Sequence, residues 1–343
     1  MDIKKLDDIL IQSNQPKFRR QQLLLFYFQN KPESWNDFSN LPKDLRQMLA
    51  TKLPLSTVII DHVTESSDTT KFLIRLSDSA DLVEAVTMKH GERTTLCLSC
   101  QSGCPLGCQF CATGTMKVTR NLSASEIIDT VKAVANYLAA RHSEISNIVY
   151  MGMGEPFLNY DAVKESLILL HDYWPIGWRK ISVSTAGIVP RLAKFANDFP
   201  QVNLAISLNA AEDEKRSELM PVNDQYPLTQ LMPACKKYVQ RTKRKLFFEY
   251  IVIPGFNDSR DDARQLKKLL NHPLFHLNII KFHKSDAVAC KNNIKWPSAS
   301  SKQMMAFKKL LELEKIPFTQ RRSFGESINA ACGMLVASKT NTV

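Results

Sequence analysis

The chain has 343 residues, 44% of them hydrophobic, enough for one large α/β domain with a smaller appendage and a sizeable core. No apolar run is long enough to span a membrane, and there is no low-complexity tract or repeat of solenoid period. A formal net charge of +11 favours a polyanionic partner, with RNA or DNA the leading class.

Short amphipathic helices are predicted over 3–13, 17–29 and 42–52, separated by Asn-Gln-Pro and Asn-Lys-Pro breaks. Lys17, Arg19, Arg20, Lys43 and Arg46 give them basic faces. Residue by residue these read as solvated surface; collectively they suit phosphate binding. Between 57 and 88, alternating runs such as 70–76 predict a small hairpin sheet. Strands and helices then alternate. The strands are predicted over 94–99, 147–151, 180–185, 202–208, 246–253, 277–282 and 318–322. The clearest helix start is the capping box of Ser123 and Glu126. Such alternation implies a parallel sheet with ligands at the carboxyl ends of its strands. A curved partial barrel and a flat doubly wound sheet both produce this pattern.

The first core strand leads into Cys104, Cys108 and Cys111, a Cys-x3-Cys-x2-Cys loop. The opening Met1-Asp2-Ile3-Lys4-Lys5 has no apolar signal segment behind it, so a reducing cytosol and free thiols are expected. A four-iron cluster normally takes four thiolates, and three from one loop leave one iron open to a substrate. Zinc is the competitor, because Cys97 and Cys100 form a second Cys-x2-Cys pair beside Cys108 and Cys111. Zinc ribbons usually separate their pairs by roughly 15–20 residues. Here only 101–107 intervene, and Cys104 would be left over. The spacing favours a cluster and leaves zinc open. Cys235 and Cys290 have no cysteine neighbours and read as ordinary partly buried thiols.

Gly152, Gly154 and Glu155 follow the second core strand. Glycines there permit close backbone approach to a ligand, and Glu155 suits an ammonium group; a plain strand-to-helix turn has the same residues. Ser182, Ser184 and Thr185, then Ser207, Leu208 and Asn209, end later strands, where hydroxyls reach a ribose or merely satisfy the backbone. Cys332 lies between Ala331 and Gly333, sterically open as a nucleophile, although lone thiols are more often packed. Cys97 is the other cysteine placed for chemistry.

The three-cysteine spacing resembles the signature of radical S-adenosylmethionine (SAM) enzymes. Together with Cys97, the stretches 83–86, 110–114, 120–122, 151–156, 183–185, 219–221 with Asn223, 254–258 and 330–333 resemble the RlmN/Cfr family of radical SAM RNA methyltransferases. The resemblance runs over nearly the whole chain. It implies an α/β fold, a partial (β/α)6 barrel with an N-terminal helical accessory domain and a small β-hairpin extension. It places an RNA-binding unit over 1–89 and the core over 90–343, whose C-terminal segment carries the methyl-accepting cysteine.

The same resemblance implies a [4Fe–4S] cluster on Cys104, Cys108 and Cys111 and two SAM molecules per turnover. One methylates Cys332. The second gives a 5′-deoxyadenosyl radical that takes hydrogen from the S-methyl group, and the resulting carbon radical adds to adenine. Cys97 resolves the protein–RNA adduct through a transient Cys97–Cys332 disulfide, and Glu84 matches the family's proposed general base. This route suits an adenine ring carbon, too poor a nucleophile to displace methyl from SAM. SAM contacts carry over onto Gly154, Glu155, Ser184, Ser207, Leu208, Asn209 and His283. The chain departs from the family pattern at Asn209, usually His, and His283, usually Asn. Asn329 replaces a common Asp, and Cys100 a frequent Ser. Pro156 after Glu155 leans towards the RlmN side, hence towards C2 methylation of an adenosine in 23S rRNA, and in tRNA next to the anticodon. C8 methylation, as in Cfr, and a zinc-bound RNA-binding protein are the alternatives. A flavodoxin- or ferredoxin-type electron donor, a monomeric state and a cytoplasmic location complete the expectation.

Overall fold

The computed structural model describes residues 1–30, 32–79, 81–116, 118, 120–284 and 296–337. It opens with helices α1 (Ile3–Gln12), α2 (Phe18–Gln29) and α3 (Lys43–Lys52). Strands β1 (Val58–Glu65), β2 (Thr69–Leu76), β3 (Leu82–His90) and β4 (Arg93–Cys97) follow. Two short strands, β5 (Gln101–Ser102) and β6 (Arg120–Asn121), pair antiparallel and pinch the neck of the cysteine loop between them. Next come α4 (Ala124–Ala139), β7 (Asn147–Tyr150), α5 (Tyr160–Tyr173), β8 (Ile181–Thr185), α6 (Val189–Asp198) and β9 (Asn203–Ser207). The chain continues through α7 (Asp213–Leu219), α8 (Val222–Gln225), α9 (Leu228–Thr242) and β10 (Leu246–Val252). It ends with α10 (Arg260–Leu269), β11 (Phe275–Lys281), α11 (Ser301–Leu313) and β12 (Phe318–Gln320).

The main sheet runs β1-β2-β3-β4-β7-β8-β9-β10-β11-β12. From β4 onward every pair is parallel and each strand lies beside its predecessor in the sheet. A doubly wound sheet reverses its strand order at a switch point. This order never reverses, so the winding is that of a partial barrel. The helices meet one another outside it. The α5 residues Tyr160 and Lys164 reach Asp198 of α6 at 3.0 and 2.9 Å, and Lys215 of α7 reaches Asp262 of α10 at 2.6 Å.

The hairpin strands do not form a sheet of their own. β3 pairs with β4, Val86 opposite Cys97, so β1–β3 are the antiparallel edge of the core sheet, continuous across the expected 89/90 boundary. The first core strand ends at Cys97 rather than at 99, because Leu98 bonds Val149 and Cys100 bonds Met153 as the chain bends into the cysteine loop.

The N-terminal helices dock on the outer helices. Phe28 stacks on Tyr173 at 5.6 Å and meets Trp174 edge-on at 6.0 Å. Asp129 of α4, buried, accepts from Tyr27 and from the amide and hydroxyl of Thr57, both at 2.7 Å. Lys132 donates to the Pro32 carbonyl at 3.0 Å and lies 3.7 Å from the Tyr27 ring centroid; burial brings its pKa down to about 8. Part of the expected basic face is already bonded locally. Arg20 pairs with Asp7 at 2.7 Å, Arg19 donates to Gln22 at 2.5 Å, and Arg46 donates to the Asn36 carbonyl at 2.9 Å. Lys17 and Lys43 stay exposed. Among the described residues no helix is long and apolar enough to cross a membrane.

Candidate active site

The carboxyl ends of the parallel strands and the segment after β12 surround a cavity of about 570 Å³. Cys97, Cys104, Cys108, Cys111 and Cys332 all line it, as do Gly154, Glu155, Ser184, Ser207, Asn209 and His283. Leu208 is fully buried and Glu84 lies outside the lining. Cys235 is buried in α9, and Cys290 falls outside the described residues.

The cysteine loop folds back on itself: Cys111 N–H donates to the Cys108 carbonyl at 3.2 Å and Gly114 N–H to Cys111 at 3.0 Å. A side chain at Gly114 would meet the Cys108 backbone at 2.8 Å. Gln109 N–H donates to Leu219 at 2.9 Å, which fastens the loop to the end of α7. Burial raises the pKa of all three loop thiols, that of Cys104 to about 12, and the thiols oppose one another's ionisation. A metal's charge is what holds such donors as thiolates. A single zinc needs its donors about 2.0–2.3 Å from one point. Among the described residues no three His, Cys, Asp or Glu side chains converge in that way. Loop thiols that border a cavity individually fit a cluster, whose irons they reach separately.

The glycine-rich turn after β7 is packed tightly on the base of this loop. A Cβ at Gly152 would lie 2.7 Å from the Leu98 carbonyl, and one at Gly154 (φ +96°) 2.6 Å from Gln101. Glu155 is buried and accepts from the Phe157 and Ala186 amides at 2.9 and 2.8 Å, clasping the end of β7 to the end of β8. Burial raises its pKa, and bonds from Thr185, Ala186 and Phe157 oppose the rise. Asn209, in left-handed backbone (φ +57°), gives its side-chain oxygen to the Ile251 amide at 3.0 Å and donates to the Met220 sulfur at 3.3 Å.

Cys97 ends β4 with its thiol buried, its pKa pushed up to about 12 by burial first, then by the charge of Cys332. Cys332 is exposed, on a segment fastened to the cysteine loop: Ala112 N–H donates to the Gly333 carbonyl, and Thr113 to Leu335, both at 2.7 Å. His283 lines the cavity and is also engaged by this segment. Its Nε2 lies 2.8 Å from Ser323 Oγ, and its Nδ1 2.9 Å from Glu326 Oε1 without the alignment of a hydrogen bond. Glu84 is buried, with Lys71 at 3.3 Å and the Val336 amide donating at 3.0 Å.

Three residues of the site escaped the sequence reading. Arg216 is fully buried and donates to the carbonyls of Ala186, Ser207 and Leu208 and to Asn223, tying the ends of β8 and β9 together; burial lowers its pKa to about 10. Glu249 and Arg321 pair in the cavity lining at 3.2 Å, and Arg321 also touches the Met151 sulfur at 3.3 Å. Glu249 left a signal, a lone carboxylate inside the apolar run of β10. Arg216 left none, since the stretch around it reads as charged surface.

Residues 98–266 match the Radical SAM superfamily. The chain is 36% identical over 338 residues to the probable dual-specificity RNA methyltransferase RlmN of Dictyoglomus turgidum, covering 98% of this chain and 95% of that protein. It is 39% identical over 338 residues to the protein of the same name from Staphylococcus haemolyticus, covering 98% and 91%. The crystal structure of a radical SAM methyltransferase from Sphaerobacter thermophilus matches with a TM-score of 0.90 at 38% identity, over 98% of both chains. With likeness of this extent in sequence and in fold, the chain belongs to the RlmN family of radical SAM methyltransferases, whose chemistry takes a [4Fe–4S] cluster and SAM.

Proposed function

We propose that this chain methylates C2 of an adenosine in 23S rRNA, and of the adenosine beside the anticodon in tRNA, by way of an S-methylcysteine on Cys332. The observation that carries the reading is the meeting of Cys97 and Cys332 in one cavity with the three loop cysteines. Cys104, Cys108 and Cys111 hold the cluster, which when bound supplies the electron that cleaves SAM and so the radical that takes hydrogen from the S-methyl group.

The rest falls to the chain's own residues. Cys332, exposed, accepts the methyl group from a first SAM, so each product consumes two. Cys97 keeps its proton at neutral pH, because burial pushes its pKa up to about 12. It is held in reserve until the RNA adduct forms, then pairs with Cys332 as the product leaves. A flavodoxin- or ferredoxin-type donor supplies the electrons. Ser184 and Ser207 offer hydroxyls to SAM from neighbouring strand ends, and Gly154 offers its backbone. Glu155, Leu208 and Asn209 shape the same pocket through bonds they already make to Ala186, Arg216 and Ile251. His283 acts by holding the Cys332 segment. Glu84 serves as base only after it gives up the Val336 amide for the adenine. Residues 1–89 form the RNA-binding unit, and 90–343 the core of a monomeric cytoplasmic enzyme.

The test is turnover of RNA by the anaerobically reconstituted protein, with its nucleosides separated against 2-methyladenosine and 8-methyladenosine standards. Deuterium placed at C2 of the target adenosine is expected to be lost. Loss from C8 instead moves the protein to the Cfr side, and loss from neither removes adenosine as the substrate.

A further inference from the structure

We infer that the mouth of the cavity is a nucleobase clamp, in which Phe324 stacks the base beside the target nucleotide while Arg93 and Arg322 face the flanking phosphates. This rests on the RNA substrate proposed above. The mouth has two sides. One is the tip of the β3–β4 hairpin, where His90 and Arg93 stand opposite each other across a turn that needs Gly91 (φ +59°). The other is the segment after β12, which carries Arg322 and Phe324 towards Cys332. All four residues line the cavity that holds Cys332.

The Phe324 ring is half-buried and fixed from two directions. His90 meets it edge-on, with centroids 6.4 Å apart and planes at 86°. The Arg322 guanidinium lies 5.0 Å from its centroid and is held by Asp68 at 2.9 Å. Arg93 is exposed and makes no ion pair among the described residues. The mouth thus offers a held aromatic ring, one cation braced against it and one unspent cation.

The cavity measures about 570 Å³, which is room for a cofactor and one nucleobase but not for a strand. A base entering it must leave its stack, while the nucleotides on either side remain on the rim. An aromatic ring there replaces the stacking that the neighbouring base loses, and nearby cations meet its backbone. Simple packing of the Cys332 segment is the competing role for Phe324, and an aliphatic residue would fill that role as well.

The experiment uses the reconstituted holoenzyme and a fluorescein-labelled RNA hairpin with the target adenosine in its loop. Two further hairpins are abasic at the 5′ or the 3′ neighbour of that adenosine. Equilibrium binding is read by anisotropy for wild type, Phe324→Leu, Phe324→Trp and Arg93→Gln, with iron content as the check that each variant is assembled. Phe324→Leu is expected to raise Kd about tenfold or more, in the range of one stacked base. Phe324→Trp should restore binding to within about threefold. On one of the abasic hairpins the Phe324→Leu penalty should vanish. Arg93→Gln should flatten the salt dependence by about one unit of log–log slope. Equal affinity of Phe324→Leu and wild type, or a penalty that persists on both abasic hairpins, overturns the clamp. Wild-type turnover on the same hairpin separates the two ideas: tight base-dependent binding without methylated product leaves the clamp standing and sinks the proposed function.

Discussion

The docked N-terminal helices and the cavity both bury polar groups, and they treat them in opposite ways. Under the helices, Asp129 accepts from Tyr27 and Thr57, and Lys132 is spent on the Pro32 carbonyl. Every partner there is supplied by the chain. In the cavity, burial outweighs what the chain offers the ionised thiols, such as the Met151 backbone and the charge of Arg321 at Cys97 and the charge of Arg216 at Cys108. Burial without a partner is costly in either place. The difference teaches where the fold has finished its own chemistry and where it waits for something from outside.

The largest effect should come from removing the external partner's ligands. Cys104→Ala, Cys108→Ala or Cys111→Ala should lose iron and sulfide, and with them all methylation, after anaerobic reconstitution. Cys100→Ala should keep its iron, although that thiol lies nearby and is more deeply buried than the three of the loop. Full cluster content in Cys108→Ala would erase the contrast between the two regions. Next, Cys332→Ala should bring methylation to background with iron intact, and Cys97→Ala should trap RNA on the protein, visible as a slow-migrating band under denaturing conditions. If Cys332→Ala still methylates RNA normally, the carrier-thiol route is wrong for this chain.

On the finished side, Asp129→Ala should cost about 3 kcal/mol, since it strands buried donors, and a urea midpoint measures this. Iron bound per folded molecule should not change; a parallel loss of iron would show that the two regions are coupled. The smallest effect concerns RNA affinity. Charge reversal at Lys17 and Lys43 should flatten the salt dependence by about one log–log unit per phosphate lost, and reversal at Arg20 by less, because Asp7 already holds it. Equal slopes for Lys17→Glu and Arg20→Glu would show that the Asp7 pair decides nothing.

What the sequence made legible was local. The cysteine loop, the glycine turn at 152–154 and the strand–helix alternation are each written within a few neighbouring residues, and the structure places the loop and the turn against each other. Two kinds of fact were not. The winding of the sheet depends on which strands pair, and no stretch between β4 and β12 encodes that alone. Arg216 and the Glu249–Arg321 pair matter through groups far along the chain, and a charged residue has the same appearance in sequence whether solvent or carbonyls surround it. His283 shows the same limit: nothing near it in the chain pointed to its neighbours in space, Ser323 and Glu326.

The bond from Thr113 to Leu335 joins positions 222 residues apart. The bond cannot form until the chain has been made as far as Leu335. During synthesis the cysteine loop emerges long before the segment that carries Cys332. A ribosome-bound chain lacking its last few dozen residues carries the cysteine loop and most of the strand segments, but not Cys332. The order of translation itself keeps Cys332 from the cysteine loop until the protein is nearly complete.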